Sequence, residues 1–240
     1  MQTFTTCMKC QIDDGIPNFS SNSVARIPDD GVIYSTCNKG HRTVTIIQEM
    51  KFEILSDMAI KAIVDGYYRD AIASFMGALE RLYEFFIEAT FRKHGIDKAA
   101  FSAANKALTN LSERQLGAFV AVFLLESGKS PMLLPQKMTK LRNDVIHKGK
   151  FPDRAETVQF CQNALDCAME VLYLLKSEPF RETVNSIVDE RIMERHKSAT
   201  DIGINISTCS ISTILSLTRL NWEGDIEDAL TQRETRPVII

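Results

Sequence analysis

The sequence predicts a mainly α-helical fold, in which a helical bundle lies between a small N-terminal module and a short C-terminal segment that contains β-structure. Three observations support this prediction. Turn-forming residues dominate the first part of the chain, apolar residues recur every three or four positions in the middle, and isoleucines alternate with small or polar residues near the end. We therefore divide the chain into segments 1–45, 46–197 and 198–240.

The composition is that of a folded protein with a substantial core. The 240 residues are 45% hydrophobic and 25% charged, and the formal net charge is -3. This charge argues against a general nucleic-acid coat protein, which needs a broad excess of Lys and Arg, but it allows a locally basic site. No run approaches the roughly 18 apolar residues of a membrane span. The first residues also lack the features of a signal peptide, so we expect a cytoplasmic protein without a membrane segment.

Residues 1–45 contain few periodic apolar positions and many turn-forming residues, as in Asp13-Asp14-Gly15 and Pro28-Asp29-Asp30-Gly31. This pattern predicts turns that join short strands. A module of about 45 residues with so small a core usually gains stability from a bound metal or a similar cross-link.

Two pairs of potential metal ligands lie in this module. Cys7 and Cys10 form a C-x-x-C pair, and Cys37 and His41 form a C-x-x-x-H pair. Two such pairs can place four ligands tetrahedrally around one zinc ion, and the arrangement resembles a zinc ribbon or treble-clef-like knuckle. We expect a structural zinc, because four protein ligands leave no open coordination position. Free cysteines beside a surface histidine, or a redox C-x-x-C, are the alternatives. The other cysteines are expected to be small core or surface residues: Cys161, Cys167 and Cys209.

Helical periodicity begins near Thr45 and continues to Lys197. Gly66 is expected to separate the first two helices, and the second helix should end near Lys93-His94-Gly95, where basic residues precede a glycine. The run from Leu116 to Leu125 is apolar nearly all round, which predicts a buried core helix.

Three further helices are expected in the second half of the bundle. Pro135 should open one helix, which Gly149 and Pro152 close. A long helix over residues 153–176 and another over 179–196 should follow. The middle segment is therefore predicted to be a bundle of four or five helices with a further helix after it.

The C-terminal segment has the pattern of a strand. Ile202, Ile204 and Ile206 alternate with small or polar residues, which predicts a strand or a hairpin. Two interpretations of this segment stay open: an edge strand that pairs with a partner or a second copy, or strands that cover the bundle. Residues 232–240 are expected to be loose or bound to a partner.

Three polar residues on the helix after Pro135 point to phosphate chemistry. Asn143 and His147 are four residues apart and share a helix face, whereas Arg142 is turned about 140° from His147 and must reach around the helix. A histidine can transfer a proton, an arginine can bind a phosphate through two hydrogen bonds, and a carboxamide can orient either. Basic residues around them would attract a polyanion; those assigned to substrate binding are Lys140, Lys148 and Lys150, and Lys137 and Arg154 add to the same charge.

The run Arg-Asn-Asp-Val-Ile-His at residues 142–147, followed by Lys-Gly-Lys-Phe-Pro, resembles the HEPN domain. Ribonuclease members of that family carry an arginine, a polar residue and then a histidine. The segment at residues 66–84 also resembles the paired opening helices of the family, so the likeness covers roughly residues 46–176. It implies an endoribonuclease of the toxin or anti-phage defence type, in which two copies of the motif meet in one cleft of a homodimer or higher oligomer. An antitoxin or another defence-system protein would be a possible partner.

The resemblance also implies the roles of the three residues. His147 would act as acid or base, Arg142 would stabilise the charged phosphorane, and Asn143 would orient phosphate or histidine in a transesterification of RNA that needs no catalytic metal. Asp70 and Glu80 could face the same cleft. One alternative is a non-catalytic HEPN module that binds nucleotides or RNA, or scaffolds a larger complex. Another is a zinc-module nucleic-acid regulator, which is disfavoured because residues 1–45 carry only four basic side chains: Lys9, Arg26, Lys39 and Arg42.

Overall fold

The computed structural model describes residues 1–15, 20–109, 111–200 and 206–235, and these are mainly helical with two small sheets. The strands are β1 (Gln2–Thr5), β2 (Ser23–Arg26), β3 (Val32–Thr36), β4 (Arg42–Ile47) and β5 (Ile206–Cys209). The helices are α1 (Met8–Asp14), α2 (Lys51–Val64), α3 (Tyr68–Lys93), α4 (Lys98–Thr109), α5 (Ser112–Ser127), α6 (Gln136–Lys148), α7 (Arg154–Leu175), α8 (Glu178–Thr200) and α9 (Ile226–Thr235). The predicted class, mainly helical with a small β-containing part, is confirmed.

The first compact unit comprises Met1–Met50 and Asn185–Ser212. Strands β1 and β2 form an antiparallel pair, and a second sheet has the order β3-β4-β5. In this sheet β3 runs antiparallel to β4, whereas β5 runs parallel to β4 with Ile206 opposite Val44. The sheet buries a small apolar cluster: Val32, Val44, Ile46 and Ala199, with Ile206 packed against it.

The second compact unit comprises Lys51–Val184 and Thr213–Ile240, and helix α3 lies at its centre, in contact with α2, α5, α6 and α7. The ring of Phe86 on α3 lies 5.8 Å from the ring of Phe119 and 5.6 Å from those of Phe123 and Phe180. Edge-to-face and tilted contacts of this kind add to the free energy gained by burying the rings. This aromatic core fixes α3 and α5 relative to each other.

Several predicted helix ends are confirmed. Gly66 lies between α2 and α3, and α3 ends at Lys93. Gly149 follows α6 with a φ of 70°, a left-handed conformation that suits glycine, and its N–H donates to the carbonyl of Asp144. Helix α7 begins after a capping box, in which the Asp153 side chain accepts from the Glu156 N–H.

The prediction that the run Leu116–Leu125 is a fully buried helix is wrong. Helix α5 does cover this run, but within α5 only Gln115, Phe119 and Phe123 are buried. Leu124 and Leu125 are 49% and 71% exposed. No element among the described residues covers these two leucines. The sequence pattern alone could not show whether another element would cover them.

Other differences concern the ends of elements. The start of the helical region lies later than Thr45, because Ile47 ends strand β4 and α2 begins at Lys51. The C-terminal strand is β5, which pairs with β4 rather than forming a hairpin. Ile202 and Ile204 lie outside the described residues. Of the tail expected to be loose, residues 232–235 belong to α9, and 236–240 lie outside the described residues.

The compact units have other bounds than the predicted segments 1–45, 46–197 and 198–240, because the first unit combines Met1–Met50 with Asn185–Ser212 and one division falls within α8. The sequence pattern is local, so it could not reveal that β5 joins the N-terminal sheet. In the described ranges, no helix is both long enough and apolar enough to cross a membrane.

Candidate functional site

The four predicted metal ligands lie together in the first unit. The Cys10 Sγ atom is 3.8 Å from the Cys37 Sγ atom and 3.3 Å from Nδ1 of His41. The Cys7 Sγ atom is 3.8 Å from the same Nδ1 atom. All four ligand atoms lie within 4.8 Å of one another, and the three cysteines are buried. The C-x-x-C and C-x-x-x-H pairs therefore converge on one point.

Local structure explains this convergence. Cys7 is the residue before α1 and Cys10 lies in its first turn, so a short helix holds both thiols on one side. Cys37 and His41 lie at the two ends of the β3–β4 turn. In that turn the Cys37 N–H donates to the His41 carbonyl over 3.0 Å, and the Gly40 N–H donates to the Cys37 carbonyl over 2.9 Å. Each ligand pair is thus fixed by its own backbone hydrogen bonds.

The electrostatics of the cluster suit a cation. Burial, together with hydrogen bonds to Cys7 and Cys37, raises the pKa of the Cys10 thiol to about 11. Burial alone would also raise the pKa of Cys37, but backbone N–H groups of His41 and Lys39 lower it below its ordinary value. Backbone donors aimed at a thiolate are typical of the outer shell around a bound metal.

The donor set and spacing fit a tetrahedral metal site. A metal held by thiolates at about 2.3 Å in a tetrahedron separates the sulfur atoms by about 3.8 Å. The observed Cys10–Cys37 separation of 3.8 Å agrees with that value. The cluster is therefore compatible with a structural metal ion bound by three sulfurs and one imidazole nitrogen. Cys161 and Cys167 are buried and Cys209 is half-buried, as expected for cysteines outside the site.

Arg142, Asn143 and His147 lie in the second unit and line one cavity of about 640 Å³ between α3, α5 and α6. The Arg142 Nη1 atom donates to Oδ1 of Asn143 over 2.9 Å. Its Nη2 atom donates to Oε1 of Glu80, on α3, over 3.4 Å. The Arg142 guanidinium therefore lies between Asn143 on its own helix and Glu80 on α3.

His147 is exposed and lines this cavity. It forms no hydrogen bond or ion pair with the described residues, so its imidazole is open to a ligand. Glu80 lines the cavity, as the sequence suggested it could, whereas Asp70 is exposed and does not line it. The structure thus brings together the three residues of the motif and one carboxylate that sequence reasoning considered.

The predicted basic surroundings are partly neutralised. Lys148 pairs with Asp144 over 2.7 Å, and this hydrogen bond lowers the pKa of the Asp144 carboxyl. Lys150 pairs with Glu156, which lies beyond the cavity. Of the lysines assigned to substrate, Lys140 forms no ion pair with a described residue. Arg154 binds Glu227 through two hydrogen bonds of 2.7 and 2.6 Å.

Most of the cavity wall was missed by sequence reasoning. Tyr83 on α3 and Gln115 on α5 are 4% exposed, and both face the cavity with several leucines. The Tyr83 ring stacks on Phe119, with 3.8 Å between ring centroids and 14° between ring planes. In the sequence these residues belong to ordinary helical patterns, so only the packing of α3 against α5 reveals them.

Searches for similar proteins among family models, curated proteins and solved structures each found no match.

Proposed function

We propose that the chain is a metal-independent endoribonuclease of the HEPN type, with His147 as its proton-transfer group. The observation that carries this proposal is the shared cavity of Arg142, Asn143 and His147. It combines an imidazole that has no hydrogen-bond partner among the described residues with a guanidinium that is already oriented by Glu80. These are the groups that phosphoryl transfer needs for proton transfer and for charge stabilisation.

The reaction is a transesterification. A base removes the proton of the ribose 2′-hydroxyl, the 2′-oxygen attacks phosphorus, and the bond from phosphorus to the 5′-oxygen breaks. An acid gives a proton to the leaving 5′-oxygen, so the products are a 2′,3′-cyclic phosphate and a free 5′-hydroxyl. Arg142 binds the phosphorane oxygens, and Asn143 keeps Arg142 directed into the cavity through its 2.9 Å hydrogen bond. One chain supplies one such histidine, so the second proton-transfer group comes from a second copy in a homodimer.

An exposed apolar face on α5 supports the homodimer. Exposed residues on this face include Leu116, Gly117, Ala121, Leu124 and Leu125, all apolar. Leu116 also lines the cavity, so this face begins at the site itself. Contiguous exposed apolar surface commonly marks an interaction site. A second copy seated there would place its own α6 near the same cavity.

The variant Leu124→Asp tests this interface. A charge at the centre of a buried apolar contact should convert the dimer into monomers, which light scattering after size-exclusion chromatography will measure. Leu220→Asp is the matched control, because Leu220 is 96% exposed and lies outside α5. A parent protein that is monomeric at micromolar concentration would contradict the dimer.

We also infer that Cys7, Cys10, Cys37 and His41 hold a structural zinc ion. Three sulfurs and one imidazole form a donor set that zinc prefers, and four protein ligands leave no position for substrate. The ion would stabilise the N-terminal unit and take no part in RNA cleavage.

The decisive experiment is cleavage of total RNA in the presence of a chelator. We expect the parent protein to produce 2′,3′-cyclic phosphate ends, and His147→Ala to lose at least about 100-fold in rate, the usual contribution of a general acid or base. His94→Ala is the control, since His94 lies outside the cavity. Because His94 also bonds Glu126, circular dichroism must show that both variants are folded at the assay temperature. Equal cleavage by the parent and His147→Ala would show that the assignment is wrong.

A non-catalytic nucleotide-binding or RNA-binding module is the second candidate. It is favoured by the ion pairs of Lys148 and Lys150, which leave less free positive charge at the site than the sequence predicts. Tight RNA binding without cleavage, lost in Arg142→Ala, would support this function over the first.

A further inference from the structure

We propose that the cavity beside His147 binds one unpaired nucleobase, so that the substrate is single-stranded RNA with the base next to the scissile phosphate turned into the protein. This proposal rests on the proposed function and deepens it, because it names the part of RNA that the site selects. The shape of the cavity, its polar groups and the groove beside it all suit such a ligand.

The cavity has a wall that suits a flat aromatic ring. Its volume of about 640 Å³ falls within the usual range of small-molecule sites, about 300–1,000 Å³. A phosphate alone needs far less space and no apolar wall. The apolar lining comes from three elements: Met76 and Leu79 on α3, Leu116 on α5, and Leu133 and Leu134 before α6. Nucleobases bind such walls through their faces.

Two buried polar side chains can read the edge of a base. The Gln115 Nε2 atom donates to the Glu80 carbonyl over 2.9 Å, which fixes the carboxamide, and no described residue bonds its Oε1 atom. The Tyr83 hydroxyl forms no hydrogen bond with a described residue, although the side chain is only 4% exposed. Burial raises the pKa of Tyr83, so the hydroxyl keeps its proton and can donate. A site whose buried polar groups hydrogen-bond a ligand rejects analogues that lack the matching donor or acceptor.

The polar end of the cavity can hold the phosphate that belongs to the same nucleotide. Arg142 and Lys148 line the cavity there together with His147. A base in the apolar part would thus leave its phosphate beside the proton-transfer group. An inorganic phosphate would use only this end.

A second groove along α6 provides a path for the RNA backbone. It contains Lys137 and Lys140, and it shares Thr139, Asn143 and Lys148 with the cavity. The two spaces therefore meet at these shared residues, where the base and the sugar-phosphate chain of a bound strand would separate. Lysines along such a path bind phosphates without regard to sequence.

Binding to the His147→Ala protein tests the proposal without requiring cleavage. The probes are the four nucleoside 3′-monophosphates and, as a ligand without a base, ribose 5-phosphate, each measured by calorimetry. We expect at least one nucleotide to bind ten-fold or more tightly than ribose 5-phosphate, within the range of stacking contributions. Four nucleotides that bind no better than ribose 5-phosphate would overturn the proposal.

Two variants locate the base within the cavity. Leu134→Trp, made in the His147→Ala background, should fill the cavity and remove the advantage of nucleotides while leaving ribose 5-phosphate binding unchanged. Leu220→Trp should change neither, because Leu220 lies outside the cavity. Tyr83→Phe keeps the ring and removes only the hydroxyl, so it should reduce discrimination among the four bases several-fold. Unchanged nucleotide binding in both cavity variants would show that the base lies elsewhere.

Two further results show whether the bound nucleotide belongs to RNA or is free, and they test the base pocket separately from the nuclease activity. A ten-nucleotide single strand should bind at least as tightly as the best mononucleotide; if it does not bind, the pocket serves a free nucleotide and the RNA assignment is overturned. If nucleotides bind as described but the parent protein cuts no RNA, the base pocket stands and the nuclease proposal fails. If RNA is cut but no base binding is found, the nuclease proposal stands and the base pocket is overturned.

Discussion

Replacing one metal ligand, in Cys10→Ser, should destabilise the N-terminal unit strongly. Cys10 is fully buried and lies within 3.8 Å of ligand atoms of both Cys37 and His41. The buried cluster that contains Cys7, Cys10 and Cys37 has no other hydrophobic member among the described residues. If the cluster holds an ion, as we propose, the contacts in this region would depend on that ion rather than on aliphatic packing.

The expected destabilisation can be calculated from the loss of metal affinity. Loss of an outer-shell partner typically weakens metal binding by 10-fold to 100-fold, so loss of one of four direct ligands should cost at least about 100-fold. At about 1.4 kcal/mol per factor of ten, this is about 2.7 kcal/mol of binding free energy. Because the metal binds the folded state, the same amount is lost from folding. In a domain of 60–100 residues each kcal/mol lowers the melting temperature by about 4–8 °C, so we expect a decrease of about 10–20 °C.

Elemental analysis measures the loss of metal, and thermal unfolding followed by circular dichroism measures the decrease in melting temperature. The parent should carry about one zinc per chain, and Cys10→Ser should carry much less. Cys209→Ser is the matched control, because Cys209 is a half-buried cysteine on β5 outside the cluster. If the two variants retain equal metal and melt at the same temperature, the cluster is not a metal site.

Two further predictions concern the second unit. Asp153→Ala removes the side chain that caps α7 and should lower the free energy of unfolding by about 1 kcal/mol, measured as a lower urea midpoint with an unchanged slope. Burial alone would raise the pKa of Glu126, but its hydrogen bonds with Lys93 and His94 lower it below the ordinary value of 4.5. This carboxylate therefore stabilises the fold above pH 4.5 and loses that effect as the pH falls. Glu126→Gln should be less stable than the parent at pH 7, and the difference should shrink as the pH falls below 4.5; a constant difference would show that ionisation of Glu126 is not the cause.

The cluster of Cys7, Cys10, Cys37 and His41 was predictable because its geometry is local. Each ligand pair lies within five residues, on one short helix or one tight turn, and the only long-range requirement is that the two pairs meet. Helix bounds that depend on glycine, proline or a capping residue were predictable for the same reason. Both ends of α6 and the start of α7 follow from Pro135, Gly149 and Asp153.

The cavity was not predictable, because its parts come from separate helices. The bond from Arg142 to Glu80 joins residues 62 positions apart, and no pattern in either helix indicates it. Helix α5 is a second case in which the tertiary environment was not predictable from the sequence. Its apolar sequence predicts burial, but whether Leu124 and Leu125 are covered depends on which surfaces neighbouring elements, or a second copy, provide.

The shared cavity also changes what a second copy must supply. From the sequence, Arg142 was expected to be turned about 140° from His147 on the helix, and the dimer was expected from the resemblance to the HEPN domain. In the structure a single chain already gathers Arg142, Asn143 and His147. What one chain still lacks is a second histidine to act as acid while the first acts as base.

Mixtures of parent and His147→Ala chains can measure this requirement. If one histidine per site suffices, activity falls in proportion to the fraction of parent chains, and an equal mixture keeps about one half. If both histidines of a dimer are needed, activity follows the square of that fraction and about one quarter remains. The chains must be refolded or exchanged together so that mixed dimers form, and a tagged parent recovered with untagged variant verifies that they have. We expect the quadratic dependence; a linear one in verified mixed dimers would mean that each chain transfers both protons itself, and that the α5 interface serves some other purpose.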